Sequence, residues 1–81
     1  MEEIKEVVLQ ISRDMFKEIK DQDMSTTLLE LSMNSLDYIK YLVEIEKKLQ
    51  IEFENKFLEL KEDRTLGDII EEVEQMKKNK Q

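Results

Sequence analysis

Apolar residues recur at helical spacing in three stretches of this 81-residue chain. In the first, Ile4, Val7, Val8, Ile11, Met15 and Ile19 stand three or four positions apart. That spacing puts them on one face and predicts a helix from about Glu3 to Lys20. Asp21 to Thr27 breaks the period with Asp, Ser and Thr and reads as loop. Leu28-Leu29-Glu30-Leu31 is too brief for a helix of its own and reads as a loop segment packing inward. A second helix is predicted from Ser35 to about Gln50, with Asn34 as its N-cap and Asp37 near its positive end. Its apolar face reads as Leu36, Ile39, Leu42, Val43, Ile45 and Leu49, with Tyr38 and Tyr41 partly outside that stripe. Ile51-Glu52-Phe53 alternates as a strand does but has no partner strand. Residues 51–64 therefore read as a short helix or ordered loop lined by Phe53, Phe57, Leu58 and Leu60. Thr65 opens the last helix, with Asp68 in the capping-box position and Leu66, Ile69, Ile70, Val73 and Met76 facing inward. Gly67 in its first turn costs ~1 kcal/mol against Ala, which points to a close backbone approach there. Lys77, Lys78 and Lys80 complement the negative end of that helix, and residues 77–81 are expected to fray.

These pieces predict an all-α fold. It is a small bundle of three main helices plus one short helix, with a long loop between helices 1 and 2, in a single domain spanning 1–81. The absence of Pro and the lone Gly agree, since hairpins and turn-rich sandwiches need both residues. His and Cys are absent too. That removes His-based catalysis, Cys nucleophiles, zinc sites and disulfides. A net charge of −7 argues against nucleic acid as a partner. No apolar run reaches the roughly 20 residues of a membrane span, and no export signal opens the chain, so the expected location is cytoplasmic. A monomer is expected, because no surplus apolar face is evident.

Few residues offer chemistry. Carboxylate pairs such as Glu71-Glu72 fall on a solvated face, and no base stands ready to activate Ser12, Ser25, Ser32 or Ser35. Asp21-x-Asp23-x-Ser25 has the spacing that opens a calcium loop, but Thr26 stands where that loop needs Gly and Ser32 where it needs Glu. The chain is therefore read as a non-enzyme with no catalytic residues and no metal. Ser35 differs from the other serines by position. It lies where the long loop meets the central helix, close to backbone N–H groups with no carbonyl a turn earlier. Such a place suits a covalently attached anionic group. On position alone, a plain helix-start residue explains it as well.

The stretch Leu31-Ser32-Met33-Asn34-Ser35-Leu36-Asp37 resembles the prosthetic-group site of acyl and peptidyl carrier proteins, whose pattern is roughly Leu-Gly-x-Asp-Ser-Leu. Leu42 to Phe53 resembles that family's second-helix end and following loop, and Thr65-Leu66-Gly67-Asp68-Ile69-Ile70 its last-helix opening. The first helix is similar in length and pattern alone. The resemblance implies an acyl-carrier-like bundle in which Ser35 receives 4′-phosphopantetheine from coenzyme A, by way of a magnesium-dependent phosphopantetheinyl transferase. The terminal thiol of that group then holds cargo as a thioester, which accounts for a chain without Cys. An acyl- or aminoacyl-loading enzyme and downstream synthase or modifying enzymes are the further implied partners. The expected contacts for them are Asn34, Leu36, Asp37, Lys40, Tyr41, Val43, Glu44 and Lys47, with Tyr38 beside them.

Three departures from the pattern shape this reading. Ser32 stands where Gly is common, and Asn34 where members in primary metabolism have Asp. The second helix is also less acidic than in fatty-acid carriers: residues 35–50 hold 3 acids and 3 bases. The expectation is a stand-alone carrier in specialised biosynthesis of nonribosomal-peptide or polyketide-like type. The alternatives are an acyl carrier of fatty-acid synthesis and an unmodified helical protein-interaction module. A long apolar cargo would enter the bundle among Leu42, Val43, Ile45, Phe57, Leu60 and Ile69, whereas an aminoacyl cargo would stay outside.

Overall fold

All three periodic stretches are helical. The computed structural model describes residues 2–19 and 21–79. Helix α1 spans Glu2–Met15 and α2 spans Ser35–Leu49; a single 3-10 turn follows at Asn55–Leu58, and α3 spans Leu66–Asn79. The fold is the small all-α bundle expected. The extended pairing among the described residues is one isolated antiparallel bridge between Thr27 and Thr65. Lys80 and Gln81, and Lys20 at the expected end of the first helix, lie outside the described residues.

Helix α1 stops earlier than its apolar spacing implies. Phe16 still donates to Ser12 O at 2.9 Å, but Ile19 then donates to Phe16 O at 3.1 Å, a tighter turn. The cause is Gln22, which folds back under the helix end. Its amide nitrogen donates to Phe16 O and Ile19 O at 2.8 Å each, and its amide oxygen accepts from the buried Ser12 hydroxyl. The Arg13 guanidinium closes the motif by donating to Gln22 O at 3.2 Å. A polar side chain thus satisfies carbonyls that a longer helix would have bonded itself.

The buried face of α1 is Ile4, Val8, Leu9, Ile11 and Ser12, so Leu9 joins the face predicted from spacing. The face of α2 is rotated from the expected one. Tyr38, Tyr41, Leu42 and Ile45 are fully buried, whereas Leu36 and Val43 point out, at 62% and 37% exposure. The set i, i+3, i+4, i+7 is itself a helical stripe. Tyr wins the interior because both hydroxyls find partners: Tyr38 donates to Phe57 O at 2.7 Å and Tyr41 to Val8 O at 3.1 Å. In α3, Leu66, Ile69, Ile70 and Val73 are buried as the spacing requires.

Caps set the helix ends. Asn34 Oδ1 accepts from Asp37 N–H at 2.7 Å, and Gln50 closes α2 in left-handed backbone with φ 57°. Thr65 and Asp68 form the expected reciprocal capping box, each backbone N–H bonding the other side chain at 3.0 Å. Helix α1 packs on both α2 and α3, while α2 also meets the 3-10 turn. The radius of gyration is 11.7 Å, as for any tightly folded chain of this length.

Candidate functional site

The first loop delivers Ser35 to the head of α2, and it is held from both sides. Leu28 N–H donates to Arg64 O at 2.9 Å, Leu66 N–H to Thr26 O at 2.9 Å, and Gly67 N–H to Met24 O at 2.8 Å. Gly67 is required at that third bond, because a Cβ on it would stand 2.8 Å from Met24 O. Within the loop, Asp23 Oδ1 accepts from the Ser25 N–H and hydroxyl at 2.9 and 2.7 Å. These bonds hold the Asp23 carboxyl below its ordinary pKa of 3.8. Thr27 and Glu30 cap a single turn reciprocally, at 2.8 and 3.1 Å. The apolar run here splits: Leu28 and Leu31 are buried, but Leu29 is 61% exposed, correcting the expectation that the whole run packs inward.

The chain then turns at Ser32, whose φ is 54°. This is the left-handed region, where Gly has no Cβ penalty and other residues do. The departure at Ser32 therefore falls where the backbone favours the residue it replaces. Met33 is buried and pins the loop's last step, and Asn34 caps the helix.

Ser35 is the first residue of α2 and is exposed. No hydrogen bond ties its hydroxyl to the described residues. A free, outward hydroxyl beside the unbonded amides of a helix start fits a phosphodiester-linked group: the oxygen is reachable, and the helix end favours the negative charge. Around it, Asn34, Leu36, Lys40, Val43, Glu44 and Lys47 are exposed and Asp37 is half-buried. Leu36, Lys40, Val43 and Lys47 share one outer stripe of α2 by their spacing. Between this stripe and α1 lies an open cleft of about 590 Å³ with an apolar floor of Ile11, Met15, Ile39 and Val43, and with Lys40, Lys47, Lys48, Asp14 and Glu44 at its rim.

Tyr41 does not join this surface. It is fully buried with its hydroxyl on Val8 O, so it serves the core, and its expected role as a partner contact is withdrawn. Tyr38, one turn below Ser35, is buried as well. Its hydroxyl accepts from Arg64 Nη1 at 2.5 Å while donating to Phe57 O. The Arg64 guanidinium also lies 4.2 Å from the Phe57 ring centre, and Phe57 stacks on Phe53 at 5.2 Å. Burial pushes the Tyr38 pKa above 10.0 although Arg64 pulls it down. Sequence reasoning passed over Arg64 and Gln22. The α2 stripe expected from sequence leaves Tyr38 and Tyr41 partly outside, and nothing local marks a partner 26 residues away.

The site is thus an exposed serine at the start of a capped helix in an all-α bundle. Residues 6–73 match the phosphopantetheine attachment site family, and the chain belongs to it. Comparison with curated proteins and with solved structures returns no match. The chain is a carrier that holds acyl groups on covalent 4′-phosphopantetheine and is not itself an enzyme. It works with a phosphopantetheinyl transferase and with the enzymes that use its cargo. The group supplies the thiol that a chain without Cys lacks.

Proposed function

We propose that Ser35 is the residue that carries 4′-phosphopantetheine, and that the chain serves specialised biosynthesis of nonribosomal-peptide or polyketide-like type rather than bulk fatty-acid synthesis. The observation that carries the first part is the free hydroxyl of Ser35 at the capped start of α2, inside the matched residues. The mixed charge along the outer face of α2, Lys40 and Lys47 against Glu44, supports the second. A partner with a purely basic patch would meet repulsion at Lys40, and rim charges govern encounter rate and partner choice more than stability.

The attachment is tested by treating the protein with coenzyme A, magnesium and a promiscuous transferase, then locating the added group by fragment mass spectrometry. It is expected on the peptide bearing Ser35; finding it on Ser25 or Ser32 would refute the assignment. For the pathway, loading rates with aminoacyl-activating and fatty-acyl enzymes are compared for the native protein and Lys40→Glu. The reversal is expected to improve turnover by fatty-acid enzymes and leave the melting temperature in place. Equal rates with both enzyme classes would contradict the pathway reading.

A further inference from the structure

The residue directly below Ser35 on α2 is Tyr38. Positions i and i+3 of a helix have Cβ atoms about 5–6 Å apart, so anything turning inward from Ser35 along that face meets the Tyr38 ring first. That ring is one of the two largest fully buried side chains in the protein. It is also fastened. Its hydroxyl donates to Phe57 O at 2.7 Å and accepts from Arg64 at 2.5 Å, and Arg64 reaches on to Glu59 O at 3.3 Å. The guanidinium covers the Phe57 ring, which is stacked in turn on the buried Phe53. Behind this assembly Leu42, Ile45, Leu66, Ile69 and Val73 have no exposed surface at all. Opening the route would break both part-buried hydrogen bonds of the Tyr38 hydroxyl and leave Phe57 O with its 3.4 Å bond from Arg64 alone, and hydrogen bonds shielded from water are costly to lose. The cleft between α1 and α2 runs past on the other side, lined on α2 by Ile39, Lys40, Val43, Glu44, Lys47 and Lys48 and not by Tyr38 or Leu42.

We infer that Tyr38, locked by Arg64 and Phe57, seals the bundle interior next to Ser35, so that this carrier keeps its cargo outside the core and is built for short or polar acyl groups rather than long apolar chains. This rests on Ser35 as the attachment residue. The seal makes Tyr38 a specificity-determining residue that touches neither the reacting atoms nor the partner surface.

The test uses octanoyl-coenzyme A with a promiscuous transferase, giving the octanoyl-loaded protein, with the acetyl-loaded protein as reference. Intact mass first shows whether each group is attached; failure to attach either would refute the Ser35 reading, and the seal with it. With both attached, the expected result is no difference in melting temperature and unmoved methyl resonances of Leu42, Ile69 and Val73. An octanoyl chain that entered the core would raise the melting temperature by about 5 °C or more and shift those methyls, overturning the seal alone. Tyr38→Ala removes the seal, and the octanoyl chain is then expected to produce that rise and those shifts. If Tyr38→Ala does not fold, Tyr38→Leu replaces it, keeping an apolar filler while freeing Arg64. A variant that folds yet shows no octanoyl-dependent shift would equally overturn Tyr38 as the barrier.

Discussion

Replacing Gly67 by Ala sets two effects against each other. Helix propensity favours Ala by ~1 kcal/mol, less in a first turn. The structure opposes it. The new Cβ would sit 2.8 Å from Met24 O, where ordinary contacts begin at 3.4 Å. Relief therefore needs a shift of about 0.6 Å between two backbone segments, by the difference of those distances. The same two segments are tied by the 2.8 Å bond from Gly67 N–H to Met24 O and the 2.9 Å bond from Leu66 N–H to Thr26 O. Overpacking of this kind costs ~1–3 kcal/mol and a stretched hydrogen bond ~1 kcal/mol more. The net expectation is a loss of ~1–3 kcal/mol. With a urea slope of ~1 kcal/mol/M for a small domain, the midpoint falls by ~1–3 M. Urea unfolding followed by circular dichroism measures it directly. A midpoint equal to or above that of the native protein would refute the close approach and return the position to propensity alone.

Three further outcomes follow from the geometry. Asn34→Ala removes the cap on Asp37 N–H and is expected to cost ~1 kcal/mol in urea unfolding, whereas Asn34→Asp keeps the cap and gains ~0.3–1 kcal/mol from charge at the helix start; equal stability of the three proteins would contradict the cap. Ser32→Gly relieves left-handed backbone at φ 54°, worth ~1–2 kcal/mol before the greater unfolded-state freedom of Gly takes back ~0.5–1, so a net gain of ~0.5–1 kcal/mol is expected, with Ser32→Ala giving none. Burial raises the Tyr41 pKa far above 10.0, so the unfolded chain gives up its proton first, and the stability held below pH 10 is lost as pH rises beyond it. Tyr41→Phe should flatten that alkaline decline while costing ~1 kcal/mol at pH 7 for the bond to Val8 O; parallel decline of both proteins would count against this.

The helices were legible because burial imposes a period that sequence shows directly. Asn34, Thr65 with Asp68, and Gly67 were legible too, since caps and close approaches demand particular residue types at fixed offsets. What escaped was set by partners distant in the chain. The end of α1 depends on Gln22 folding back onto carbonyls, which no apolar spacing reports. The rotation of α2 depends on hydroxyl acceptors on Val8 and Phe57, 33 and 19 residues away. Hydropathy treats Tyr as borderline, but a tyrosine with a waiting acceptor belongs inside. At the site, Ser35 stood out through its neighbours in sequence, while Tyr38 with Arg64 could be seen only once the 3-10 turn was in place.

The central claim is that this bundle exists to hold one prosthetic group on Ser35. Intact-protein mass after incubation with coenzyme A, magnesium and a promiscuous phosphopantetheinyl transferase tests it most directly, with Ser35→Ala alongside. The account predicts the gain of a single phosphopantetheine group by the native protein and none by the variant, with both showing the same helical circular dichroism. An unmodified native protein across several transferases, or equal modification of the variant, would contradict it.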